Sequence, residues 1–137
     1  MLSTEELRQY VCNEVQIKLG DLYSDKLFFG EGTDNSMGGT YIFNKNNEYH
    51  ILYTEKGKVR SDILTDDKRE VLWHAVQIIS IDIIMNYAMC NREKGKDFRR
   101  ALFAKEIEIF SLFGEDFEKR KKEEINTILK NNPYNDV

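Results

Sequence analysis

A chain of 137 residues has room for one domain with one real core, and a hydrophobic share of 41% is enough to fill it. The mildly acidic balance, a net charge of −4, argues against nucleic acid as a partner, because phosphate neutralisation needs an excess of Lys and Arg. The charge is unevenly spread: residues 1–38 carry seven acids and three bases, residues 91–113 six bases and four acids. Ordinary surface variation also produces such unevenness.

The single proline, Pro133, leaves no Pro-rich linker, so residues 1–137 are expected to form a single domain. The opening Met1-Leu2-Ser3-Thr4-Glu5-Glu6 lacks the basic-then-apolar pattern of a secretory signal. That leads to the expectation of a cytoplasmic protein, with Cys12 and Cys90 as free thiols without metal-type spacing.

In chain order, the first expected element is a helix over 4–19. Ser3 and Glu6 have the spacing of a capping box, Leu7, Val11, Val15 and Leu19 form one apolar stripe, and Gly20 stops it. Lys26-Leu27-Phe28-Phe29 has the composition of a short strand. Residues 30–39 read as a loop, rich in Gly, Asn and Asp. Three strands follow over 40–44, 48–55 and 58–64, turning at Lys45-Asn46-Asn47 and Lys56-Gly57. Alternation puts Tyr49, Ile51 and Tyr53 on one face and His50, Leu52 and Thr54 on the other.

Thr65-Asp66-Asp67 caps a long helix running to about residue 91. Its apolar stretch, 71–90, is interrupted by His74, Gln77, Asp82 and Asn86. A mid-bilayer Asp costs about 2.5–3.5 kcal/mol, so a buried core helix is expected and no membrane is implied. Helices over 98–113 and 115–131 complete the chain, with Gly114 between them and Pro133 after them. The 98–113 helix is apolar on two sides: Phe98, Ala101, Leu102, Ile109, Leu112 and Phe113 against Phe103, Ile107 and Phe110. Such a helix is either sandwiched in the fold or offered to a partner. Trp73, Ile79, Ile83, Leu102 and Ile109 are the expected core. The expected class is α+β: an N-terminal helix, an antiparallel meander of three or four strands, and three C-terminal helices packed on the sheet.

Little in the chain carries catalytic chemistry. Neither His50 nor His74 is paired by any motif with a nucleophile, and there is no GxSxG. The glycines at 30, 32, 38 and 39 lead into a strand, whereas a phosphate-binding loop leads into Lys-Ser/Thr and a helix. Asp82, set among isoleucines, is read as a paired or edge carboxylate rather than a catalytic acid. The aromatics Tyr41, Phe43, Tyr49 and Tyr53 lack the pattern of base-stacking sheets and are read as packing. An enzyme alternative remains in a metal-dependent nuclease using Glu31, Asp34 and Asp62 with Mg²⁺, though the sequence shows no convergence of these carboxylates.

Several stretches carry a family resemblance. Tyr49 to Arg60 is a tyrosine-rich strand with a Lys56-Gly57 turn, leading into Val59-Arg60-Ser61-Asp62. Trp73 stands early in the long helix. Asp97-Phe98-Arg99-Arg100, then Leu102-Phe103, opens the next, and Ile128-Leu129, Pro133-Tyr134 and Asp136 close the chain. In this order they resemble a family of bacterial immunity proteins from polymorphic toxin systems, the one numbered sixty-three. The resemblance implies a protein that binds and neutralises a cognate toxin domain and is not an enzyme. A regulatory or adaptor domain binding another protein or a small ligand is the alternative.

The expected partner surface is argued from physics. Glu31 and Asp34 would steer a basic toxin surface, since rim charges act chiefly on association rate. Tyr41 and Tyr53 would flank them if their sheet face is uncovered, and Tyr53 and Arg60 would anchor the contact. The charged last helix, around Lys119 to Lys122, is the competing surface. Arg99 and Arg100, set at a helix start where the macrodipole opposes them, are expected to pair with Asp62 or Asp82. No cofactor or metal is expected.

Overall fold

The structure, a computed structural model, describes residues 1–32 and 38–136. In order the elements are α1 (Thr4–Leu19), β1 (Leu27–Phe29), β2 (Gly39–Lys45), β3 (Glu48–Glu55), β4 (Lys58–Thr65), α2 (Lys68–Cys90), α3 (Arg99–Ser111) and α4 (Glu115–Asn131). The α+β class and the element order match the expectation. The chain divides into two compact units, Met1–Ile79 and Ser80–Val137, so that α2 contributes to both.

In the first unit the strands lie in the order β1-β2-β3-β4. The meander β2–β3–β4 is antiparallel, but β1 pairs with β2 in parallel, through Leu27 with Thr40 and Phe29 with Ile42. The sheet is therefore mixed. The reason is topological: a parallel neighbour requires the chain to come back to the end at which the first strand began, whereas a tight hairpin reverses it. Both hairpin turns use left-handed backbone, at Asn46 and Asn47 (φ 55° and 60°) and at Lys56 and Gly57 (φ 52° and 76°). Such turns match the right-handed twist of the flanking strands.

Pairing fixes the two faces. Thr40 faces Tyr53, Ile42 faces Ile51 and Asn44 faces Tyr49, so these residues share one side. That side meets the N-terminal segment and the first turns of α2. Leu2 donates its backbone N–H to the Tyr49 hydroxyl at 2.7 Å, and Asn44 donates its backbone N–H to Thr4 Oγ1 at 3.0 Å. Ile42 and Ile51 are fully buried, as are Leu7 and Val11 of α1 and Val71, Leu72 and Val76 of α2. Each such side chain contributes about 1.5–3 kcal/mol by leaving water.

The caps are local and legible. Ser3 and Glu6 close the capping box: Glu6 N–H donates to Ser3 Oγ at 3.1 Å and Ser3 N–H to Glu6 Oε1 at 2.9 Å. At the start of α2 the Arg69 N–H donates to Asp67 Oδ1 at 2.9 Å. α2 has the length and composition to cross a bilayer, yet 56% of its apolar window is buried within the protein.

In the second unit α3 and α4 form an antiparallel helical hairpin about Gly114, whose φ of 125° favours glycine. Phe110 lies 6.3 Å from Phe117, and Phe113 6.0 Å. Phe103, Ile109, Phe110 and Phe113 are buried, whereas Leu112 is exposed and Leu102 only half-buried. Of the five expected core residues, Trp73, Ile79 and Ile109 are buried; Leu102 is intermediate and Ile83 is exposed. The second half of α2 buries the Ser80, Ile84 and Ala88 line, one residue on from Ile83, and so leaves Ile83 on the outside.

Candidate functional site

The sheet face opposite Tyr49 and Tyr53 carries its own apolar cluster. Tyr41, Phe43 and Leu52 are buried there, with Phe28 packed against them and stacked on Tyr41 at 5.0 Å. Phe43 stacks on His50 with ring centroids 4.7 Å apart and planes only 5° from parallel. A cavity of about 390 Å³ opens beside them, lined by Glu31, Gly32, Phe43, Lys45, His50, Leu52 and Asp62.

Its rim is charged. Glu31 Oε1 accepts from Lys45 Nζ at 2.6 Å, and both side chains are more than half exposed. Across the cavity, His50 Nδ1 lies 3.1 Å from each Asp62 oxygen. A carboxylate only accepts, so Nδ1 carries the proton and points it at Asp62. Strand pairing places the two: His50 sits across from Leu64 and Leu52 across from Asp62, so all four side chains fall on one face. The surface is an aromatic floor with a carboxylate on either side.

The expected site residues are distributed differently from the sequence reading. Glu31 lies on the cavity rim. Asp34 lies outside the described residues. Tyr41 and Tyr53 do not share a face: Tyr41 belongs to the cavity side and is buried, while Tyr53 belongs to the helix side. They therefore cannot flank one contact together. Arg60 is exposed and bonded through Nε to Glu55 at 3.2 Å. Phe43, His50 and Leu52 were not among the expected site residues, although strand alternation had already set His50 and Leu52 on the face away from Tyr53.

Tyr53 is committed inward. Its hydroxyl lies 2.7 Å from His74 Nδ1, and His74 Nε2 lies 3.2 Å from Glu70 Oε1. With Nε2–H donating to the Glu70 carboxylate, a neutral ring leaves Nδ1 to accept the Tyr53 O–H. The order Tyr-His-Glu resembles a nucleophile, base and orienter. The electrostatics run the other way. Burial, aided by the Glu70 charge, pushes the Tyr53 phenol from 10.0 up to about 12, which disfavours the phenolate a nucleophile needs. The chain of bonds satisfies a buried histidine and fixes α2 to the sheet.

The expected arginine pairs are corrected. Arg99 bonds Asp97 (Nη2 to Oδ2, 2.9 Å), and Arg100 bonds Asp136 (Nη2 to Oδ2, 2.7 Å); Asp62 bonds His50, and Asp82 is exposed on α2. The physical reason is proximity at the helix start. Asp97 caps α3 by accepting the Arg99 N–H at 2.9 Å, and the C-terminal segment folds back beside it. Arg99 also donates to the carbonyls of Asn132 and Pro133, at 2.9 and 2.8 Å. Tyr134 lies under the Arg100 guanidinium at 4.0 Å and 6.3 Å from Phe103. The Arg99 hydrogen bonds, with the Asn135 N–H, hold the Asp97 carboxyl well below the usual range. Hydrogen bonding to Arg100 lowers Asp136 to about 2.

On α4, Lys121 is buried rather than surface-exposed. Its Nζ donates to Glu124 Oε1 at 2.9 Å and sits 4.4 Å from the Phe110 ring centre. Burial pushes the nearby Glu106 carboxyl up, against the opposing pull of Lys121. The carboxylates of the nuclease alternative fare similarly: Glu31 is tied to Lys45 and Asp62 to His50, and among the described residues no group of three or more His, Cys, Asp and Glu is placed to hold a metal.

Fold and face together define the class: an α+β protein whose mixed sheet binds helix on one side and keeps an aromatic, ion-paired concavity on the other. Residues 45–127 match the family model described as Immunity protein 63, and the chain belongs to that family. No curated protein and no solved structure matches the chain.

Proposed function

We propose that this protein is an immunity protein that binds and neutralises a cognate bacterial toxin domain, protecting the cell that makes it. The family match over residues 45–127 carries this reading. The matched stretch includes Lys45, His50, Leu52 and Asp62, four of the residues around the outer cavity of the sheet. That face is the toxin-binding surface in this reading: an apolar floor for burial, ringed by charge for orientation. Neutralisation follows from binding alone, with no catalytic step, cofactor or metal, and takes place in the cytoplasm of the producing cell. Glu31 and Asp34, three positions apart in the sequence, steer a basic toxin towards the face through their carboxylates, Asp34 adding negative charge beyond the Glu31–Lys45 pair.

Co-expression tests the reading. A toxin domain encoded by the neighbouring upstream gene should arrest growth when produced alone, and this protein should restore growth and co-purify with the toxin. Growth arrest that persists at full expression of this protein, with no complex recovered, overturns it.

A further inference from the structure

The outer cavity has a more specific chemistry than a general protein-binding face. Its floor is aromatic, the parallel Phe43–His50 ring stack, continued by Leu52. One rim is Asp62, whose side chain is partly exposed and whose two oxygens share a single N–H from His50. A carboxylate has about four lone-pair sites, so that one shared N–H leaves acceptor capacity open to the cavity. The opposite rim is the Glu31–Lys45 pair, which is internally neutralised. With the His50 ring neutral, the charge left over at the cavity is negative, and it sits beside the stacked aromatic rings.

We infer that this cavity receives an arginine side chain of the toxin. The guanidinium is planar, stacks on aromatic faces and bonds a carboxylate through two parallel N–H groups. Lysine offers the charge without the plane, and an apolar side chain offers neither. The arginine stem would lie along Leu52 and Phe43, with the guanidinium set edge-on to Asp62. This assignment rests on the toxin-binding reading for the identity of the donor chain, but the chemistry of the cavity can be tested without the toxin.

The test uses N-acetyl-arginine amide as probe, titrated into the ¹⁵N-labelled full chain, with the acetylated amides of citrulline and lysine beside it. The arginine probe should shift the Phe43, Leu52 and Asp62 amides saturably, in the millimolar range expected of so small a ligand. Citrulline, equal in shape but uncharged, should bind about tenfold more weakly, and lysine should fall between them. Asp62→Asn should reduce the arginine response about fivefold or more while leaving the rest of the spectrum in place. Equal responses to arginine and citrulline, equal responses to arginine and lysine, or shifts confined to other parts of the chain each overturn the assignment. The wild-type comparison of probes decides the matter even where Asp62→Asn disturbs the fold. A failed probe titration with toxin binding intact removes the arginine and leaves the immunity reading; lost growth protection with a positive titration does the reverse.

Discussion

Arg100 and Asp136 lie 36 positions apart and are joined by a paired contact, Nη2 to Oδ2 at 2.7 Å and Nε to both carboxylate oxygens at 3.1 Å. The same carboxylate accepts the Asp97 N–H at 2.7 Å, and Asp97 in turn accepts the Asn135 N–H at 2.8 Å. The end of the chain is thus buckled to the start of α3 by reciprocal carboxylate contacts, with Tyr134 under the guanidinium.

The buckle should open with acid. Asp136 is depressed from 3.8 to about 2 by its hydrogen bond to Arg100, so its stabilising contribution is fully present above pH 3.8 and is lost as pH falls through about 2. Hydrogen exchange of the Asn135 and Asp97 amides should accelerate across that window, before the buried amides of α3. Asp136→Asn should remove the pH dependence. Unchanged protection of these two amides from pH 5 to pH 2 would show that the carboxylates do not hold the segment.

At the other end of the pH scale, Tyr53 should resist ionisation. Its folded value is raised above the free value, so it favours the fold fully below pH 10.0 and ceases to do so as pH rises through about 12. An ultraviolet titration should show one tyrosine ionising late, and Tyr53→Phe should abolish that late step. The same substitution strips His74 of its hydroxyl partner inside the unit, with an expected loss of about 1–3 kcal/mol by denaturant unfolding. A loss below about 0.5 kcal/mol would mean that water replaces the phenol.

Within α3 the two apolar sides should differ in weight. Phe110→Ala should cost about 3–5 kcal/mol, because Phe110 is nearly inaccessible and packs on Phe117. Leu102→Ala, at a half-buried position, should cost less than about 2 kcal/mol. Equal losses at the two sites would put Leu102 back into the core.

Much of this fold could be read from spacing alone. The Ser3–Glu6 box, the Asp67 cap, both hairpin turns and the helix boundaries are local features, and local features are written in adjacent residues. Strand alternation even separated His50 and Leu52 from Tyr53. What the sequence concealed is long-range. Nothing in the pattern of Arg99-Arg100 distinguishes Asp97 and Asp136 from Asp62 and Asp82 as partners, because a carboxylate's identity as partner is set by chain return. The parallel pairing of β1 is of the same kind. Tyr41 and Tyr53 look equivalent as strand aromatics, and only their register across β2 and β3 sends them to opposite faces.

Charge at the loop should act on rate. Replacing Glu31 and Asp34 with Ala should slow association with the toxin and flatten its salt dependence, with the melting temperature nearly unchanged, because Glu31 is exposed and its pair with Lys45 is a surface one. Association rates equal to wild type at two salt concentrations would remove the loop from the encounter.

The most direct measurement is surface-plasmon binding of the purified toxin domain to the wild-type protein, to Asp62→Lys on the outer sheet face, and to Lys119→Glu with Lys122→Glu on α4. Lys121 is left alone because it is buried. The predicted result is saturable wild-type binding, weakened about tenfold or more by Asp62→Lys through slower association and faster release, and changed less than about twofold by the α4 pair. Binding that survives Asp62→Lys intact and is lost on reversal of Lys119 and Lys122, or no saturable wild-type binding at all, would contradict the account.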